Sequence, residues 1–175
     1  MESNEHKNTI IETAYRDHSD SIFRFCVIQT RNRDLAKDIL QDVFIKTWEY
    51  LVAGNSVDNL KAFLFRVARN AIIDASRKKK TSSLDILLED GFEPADPQNE
   101  LLQHEIRLDF ENALDLINDL DPMYQEPIVL RYVEDMAIKD IAKILDEKEN
   151  TISVRIHRGI EMLQKKIQSQ ESRSL

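Results

Sequence analysis

The chain has 175 residues, 42% of them hydrophobic, with three glycines, four prolines and a single cysteine. That apolar content can fill a core, the scarcity of glycine and proline argues against a turn-rich all-β protein, and Cys26 alone excludes an internal disulfide framework or a cysteine-rich metal site. The formal net charge of −8 gives no general attraction to phosphate, so any nucleic-acid function has to be read from where the charges sit.

The opening MESNEHKNT lacks the apolar run of a secretory signal, and no stretch approaches the ~20 apolar residues of a membrane span. The expectation is a cytoplasmic protein without membrane insertion. A first helix is predicted over about 8–29, with Ile10, Ala14, Ile22, Phe25 and Val27 apolar and Cys26 a buried small hydrophobe. RNRD breaks the pattern, and Asp34 can cap a second helix that runs to Leu51. Its apolar positions are Leu35, Ile39, Val43, Phe44, Thr47, Trp48 and Leu51, with Trp48 read as core. AGNSVDN is a loop, and Asp58 or Asn59 can cap a third helix. That helix carries Leu60, Phe63, Leu64, Val67, Ala68, Ala71, Ile72 and Ala75 and ends near RKKK.

From Thr81 to about Asn99 the chain holds Gly91, Pro94 and Pro97 with little periodicity, the pattern of a linker in which a short helix at Leu84–Leu88 can form. Helicity resumes over 101–120, Pro122 suits the first turn of another helix, and Pro127 marks a kink or a first turn. The chain closes on two helix-like segments around a short polar break. Ile138, Ile141, Ala142 and Leu145 are core candidates in the first; Ile152, Ile156, Ile160, Leu163 and Ile167 make a stripe in the second. The expected fold is all-α: two small helical domains joined by an acidic linker, the C-terminal one a helix-turn-helix.

Charge divides along the same lines. Residues 1–80 hold 14 basic and 11 acidic residues (net +3), 81–110 hold one and eight (net −7), and 111–175 hold 9 and 13 (net −4). In the second helix Lys37, Asp38, Gln41, Asp42, Ile45 and Lys46 lie off the apolar stripe, which by itself reads as a solvated face. In the third, Arg66, Arg69, Asn70 and Arg77 recur at helical spacing, and Lys78, Lys79 and Lys80 extend the positive end; cations there also suit the helix dipole. Asp74 can meet bases or organise Arg69 or Arg77 by an ion pair. In the last helix Thr151, Ser153, Arg155 and Arg158 are contact candidates on a helix placed to enter a major groove, and His157 can touch phosphate. An arginine there can read guanine or only hold phosphate. No catalytic Ser/His/Asp or Cys/His arrangement, phosphate-binding glycine loop or metal-ligand spacing is present, so neither enzyme activity nor a cofactor or metal is expected.

Both halves resemble the bacterial sigma-70 family in its small extracytoplasmic-function (ECF) class. DLAKDILQDVFIKTWEYL resembles the helix that docks on core RNA polymerase, and LKAFLFRVARNAIIDASRKKK the promoter −10 helix. LDLINDLDPMYQEPIVLRYVEDMAIKDIAKIL and NTISVRIHRGIEMLQKKI resemble the region that binds the −35 element. The resemblance implies a region 2-like domain over 1–80, an acidic linker over 81–104 and a region 4-like domain over 105–175. It implies core-polymerase contacts at Asp38, Gln41, Asp42, Ile45 and Lys46. It implies −10 contacts at Arg66, Arg69, Asn70, Asp74, Arg77 and Lys78–Lys80. Asn55, Ser56 and Asn59 fall in the loop where such factors capture a flipped base. It implies −35 contacts at Thr151, Ser153, Arg155, His157 and Arg158. Partners would be core polymerase and promoter DNA, with an anti-sigma factor admitted, and the acidic linker would either mimic a nucleic-acid backbone in the polymerase channel or act as a solvated spacer. Two rival readings are a helix-turn-helix regulator acting without polymerase docking and a helical protein that sequesters a partner without DNA.

The turn departs from the family pattern: Asp146, Glu147 and Lys148 stand where glycine, an apolar residue and serine are common. Asp146 can adopt the left-handed conformation, the helix cap is expected to move to Asn150, and Glu147 and Glu149 would repel phosphate unless they point away.

Overall fold

Helical periodicity governs both halves of the computed structural model, which describes residues 2–81 and 113–171, with side chains over 5–78 and 113–169. Every regular element among them is helical: α1 (Glu2–Thr30), α2 (Arg33–Val52), α3 (Leu60–Thr81), α4 (113–118), α5 (Pro122–Ile128), α6 (Ile138–Leu145) and α7 (Glu149–Glu171). The expected linker beyond Thr81, the short helix at Leu84–Leu88, helicity over 101–112 and the side chains of Lys79 and Lys80 lie outside the described residues.

The first cluster is a three-helix assembly of α1, α2 and α3. Its stripe from α2 is Ala36, Ile39, Val43, Phe44, Thr47 and Leu51. Thr47 is fully buried because its hydroxyl donates to the Val43 carbonyl at 2.7 Å, so the polar atom is satisfied within its own helix. Phe25 and Phe65 meet edge to face at 5.3 Å between ring centroids, and Tyr15 meets Phe44 at 4.9 Å. Trp48 is not core: it is 40% exposed, and its indole N–H donates to Asn8 Oδ1 at 2.9 Å. Helix α1 starts at Glu2, about six residues before the apolar pattern suggests, and carries Asn8 to the ring. The cap of α2 is Asn32, whose Oδ1 accepts from the Leu35 amide, and Asp34 lies in the first turn. Asn59 caps α3 in the same way, accepting from Ala62.

The second cluster packs α7 against α5 and α6. Asp121 caps α5 and Pro122 occupies its first turn, while buried Pro127 lies within the helix. After Ile128 the backbone widens into a π-helical turn, Val129–Val133, closed by the Glu134 amide on the Val129 carbonyl at 3.1 Å. Asp135, at φ 49°, ends it. The turn after α6 is made by Asp146 in the left-handed conformation (φ 54°, ψ 47°), as its short polar side chain permits. Helix α7 begins at Glu149, so Asn150 sits inside the first turn rather than at the cap. Gly159 lets α7 cross α5 closely: a Cβ there would stand 2.4 Å from Ile128 Cδ1 and 3.3 Å from Tyr124 Cβ. Ile167, expected in the buried stripe, is 43% exposed.

The clusters share one continuous core. Helix α3 packs on α6, and apolar residues of both belong to the same buried set. Ion pairs and hydrogen bonds rim the junction. Arg24 donates twice to the Glu134 carboxylate, at 2.9 and 2.8 Å; Lys61 donates to the Glu134 carbonyl at 2.7 Å; Arg69 pairs with Glu126 at 3.0 Å; and Arg31 donates to the Asn118 carbonyl.

Candidate polymerase and promoter interfaces

Three groups of polar side chains occupy three different surfaces. The first is on α2. Burial of the Ala36–Thr47 stripe turns Asp38, Gln41, Asp42, Ile45 and Lys46 outward together, and all five are exposed. Ile45 is 54% exposed, an apolar residue on a charged face.

The second lies on α3 and the loop before it. Arg66, Asn70, Asp74, Arg77 and Lys78 are exposed along one side of the helix. Arg69 is not with them. Its side chain is only 24% exposed and turns to Glu126 of α5, so the structure separates Arg69 from the group it was expected to join. The organising partner of Arg69 is therefore Glu126, not Asp74. In the loop, Ser56 is exposed and Gly54 takes φ 93°. Asn55 uses its amide N–H to close the loop on the Tyr50 carbonyl at 3.0 Å, and Asn59 uses its Oδ1 to cap α3. Two of the three loop residues thus shape the backbone before any ligand arrives.

The third is α7. Ile152 and Ile156 are buried, which leaves Thr151 and Ser153 half-buried and His157 and Arg158 exposed. The Ser153 hydroxyl donates back to the Glu149 carbonyl at 3.0 Å. Arg155 is held at 2.6 Å by Glu147, its side chain 22% exposed. Glu147 therefore does not simply oppose a phosphate; it occupies the arginine expected to meet one. His157 lies 3.4 Å from Glu161 one helical turn on, and no cluster of three or more metal-binding side chains occurs among the described residues.

The sequence reading missed Glu126, Glu134 and Glu147 as partners of these arginines, and Gly159 as the helix-crossing point. Only Gly159 left a signal, a glycine inside an otherwise regular apolar stripe.

Two family models match the two halves of the chain. A model of sigma-70 region 2 matches residues 14–81, and a model of sigma-70 region 4 matches 110–163. The chain is 30% identical over 143 residues to the ECF RNA polymerase sigma factor SigM of Bacillus subtilis, covering 79% of this chain and 83% of that protein. It is 28% identical to SigW of the same organism over 165 residues, covering 86% and 84%. Among solved structures, the sigma factor RpoE in complex with the anti-sigma factor NepR from Bartonella quintana has a similar fold, with a TM-score of 0.71, 23% identity, and coverage of 90% of this chain and 96% of that one. CnrH in complex with the cytosolic domain of CnrY gives 0.70 at 17% identity, covering 96% and 94%. Sigma factors are not enzymes, which agrees with the absence of a catalytic motif, and no helix among the described residues is long and apolar enough to cross a membrane. With region 2 carried by α1–α3 and region 4 by the helix-turn-helix half, the chain belongs to the sigma-70 family as an ECF RNA polymerase sigma factor.

Proposed function

We propose that the protein binds core RNA polymerase through the outer face of α2 and directs it to promoters, with α3 and the 53–59 loop trapping the opened −10 strand and α7 reading the −35 duplex. The observation that carries this reading is the order of the two regions, over 14–81 and 110–163, together with separate exposed polar faces on α2, α3 and α7. Each half alone supplies modest binding. Tethered on one polymerase, the first contact raises the effective concentration of the second. Duplex carries the denser phosphate charge, so preference for an opened strand must come from base contacts. Asn70, beside Arg66 on the exposed side of α3, has the donors and acceptor for that task. The protein would act in the cytoplasm, with core polymerase and promoter DNA as partners. An anti-sigma factor is a further partner by analogy with the RpoE–NepR complex.

Transcription in vitro with purified core enzyme on a promoter library tests the proposal: the expected result is initiation at a defined set of templates that core alone does not use. Retention of core polymerase by the full chain separates this reading from a helix-turn-helix regulator acting alone, which would bind DNA but leave core in the flow-through. Alanine at Arg66 and Asn70 should lower permanganate reactivity of −10 thymines at matched holoenzyme occupancy. Full reactivity would remove these residues from promoter opening.

A further inference from the structure

Val154 stands 42% exposed in the second turn of α7, among outward side chains that are otherwise polar. Ile152 and Ile156, two residues to either side, are buried. At about 100° per residue this puts Val154 about 200° from each, at the middle of the solvent face. Asn150 and Arg158, one turn before and one turn after, are exposed on the same ridge. Two nearby carboxylates are engaged elsewhere: Glu147 is drawn aside by Arg155 at 2.6 Å, and Glu161 meets His157 at 3.4 Å. A helix position that only faces water suits alanine, lysine or glutamate. A β-branched valine loses side-chain freedom there and buries nothing in return.

We propose that Val154 is a specificity-determining residue of the −35 contact and that it reads the C5-methyl group of a thymine. The assignment rests on the reading of α7 as the helix that enters the major groove, which brings its N-terminal turns, Val154 among them, to the base edges. The thymine methyl is the apolar group displayed in that groove; the other base edges present hydrogen-bond donors and acceptors. Valine can neither donate nor accept, so it can hold no phosphate and read no polar edge. Against the methyl, it removes apolar surface from water on both sides. Against a polar edge, it displaces water and returns no hydrogen bond. Selectivity therefore combines attraction to one orientation of an A·T pair with a penalty on the other pairs. Asn150 and Arg158 carry the hydrogen-bonding groups of the same ridge and can take polar contacts to either side.

The test uses holoenzyme and a promoter fragment identified by transcription in vitro. Each thymine of the −35 element, on either strand, is replaced in turn by deoxyuridine, which keeps the base pair and deletes the methyl. One buried methyl is worth about fourfold in affinity, and the parent holoenzyme should lose about that factor at one thymine. Val154→Ala should weaken binding to the thymine fragment by a similar factor and lose nothing further at that deoxyuridine. At the other thymines it should respond as the parent does. The salt dependence of binding should be the same for both proteins, since no cation is removed. Val154 lies outside the buried core and alanine is the better helix former, so the variant should keep its helical signal. A parent that tolerates every deoxyuridine, a variant that stays as sensitive as the parent, or a −35 element that requires no A·T pair overturns the assignment. A changed salt slope overturns it as well, because the substitution would then act by shifting the helix on the phosphates. Binding indifferent to a scrambled −35 element strikes the reading of α7 and Val154 with it, whereas dependence on the element without a methyl effect strikes Val154 alone.

Discussion

Glu147 sits at 2.6 Å from Arg155, within the turn that leads into α7, and it is the residue whose replacement tests the −35 reading most sharply. For Arg155 to meet DNA it must release this carboxylate. With side-chain exposures of 22% and 34%, the pair resembles a surface ion pair, worth about 0.5–1 kcal/mol. The carboxylate also opposes a phosphate brought to the same helix. At a separation of roughly 6 Å in water-like dielectric, that repulsion is about 0.7 kcal/mol. Glu147→Gln keeps the size of the side chain and removes both costs, a total of roughly 1–2 kcal/mol, or about 5- to 30-fold in affinity. The assay is holoenzyme binding to promoter fragments with matched and scrambled −35 elements across a salt series. The gain should be largest at low salt and shrink as screening rises. In an Arg155→Ala background about half of it should vanish, because the pair no longer exists to be broken. No gain in the parent background, or an undiminished gain without Arg155, would refute the argument that Glu147 occupies a DNA-binding arginine.

Asp38→Lys/Asp42→Lys should weaken binding to core polymerase without loss of helical signal, measured by competition for core against a labelled parent chain; unchanged affinity in the folded variant would move the docking face elsewhere. Gly159→Ala gains up to about 1 kcal/mol of helix propensity but must displace Ile128 Cδ1 from 2.4 Å, an overpacking cost of about 1–3 kcal/mol, so urea denaturation should show a net loss. Adding Ile128→Val, which deletes the clashing atom, should recover part of it. Cys26, whose thiol rises from 9.0 to about 12 on burial, should resist alkylation in the native protein at pH 8 and react once unfolded. Between those two values only the unfolded chain loses the proton, so the native state binds more protons and this group's contribution to stability falls as pH rises. The fall is about 1.4 kcal/mol per pH unit, read as the difference between the parent and Cys26→Ala.

Periodicity made the helices legible because each buries a stripe set by its own spacing: Ile39, Val43 and Thr47 are buried as their pattern requires, and so are Ile152 and Ile156. The outward faces of α2, α3 and α7 follow from the same spacing. It failed where a side chain answers to a partner from elsewhere in the chain. Arg69 shares spacing with Arg66 and Asn70, yet Glu126, 57 positions on, takes it. Nothing in a local pattern distinguishes an arginine that faces water from one that faces another helix. Trp48 failed for a related reason: at the edge of its stripe its position depends on how far α1 extends, and polar Asn8 sits where the ring ends. The turn into α7 was legible through Asp146, whose conformational tolerance is a property of the residue itself. The cap of α2 was not, since Asn32 and Asp34 are both competent and only the helix start decides between them.

The π-helical turn at Val129–Val133 carries a consequence about length rather than composition. A turn of this kind holds one residue more than an α-helical turn, and everything after it is rotated by that extra residue, about 100° at 3.6 residues per turn. Here the rotation determines where Glu134 points and where α6 and α7 begin. Apolar substitutions within Val129–Val133 should therefore be absorbed by repacking, whereas deletion of a single residue would relax the turn to regular α-helix. Such a deletion would swing Glu134 away from Arg24 and aim the whole helix-turn-helix in a different direction. In this segment the count of residues is the inherited information, and an insertion or deletion there would act as a change of gearing between the two halves of the protein.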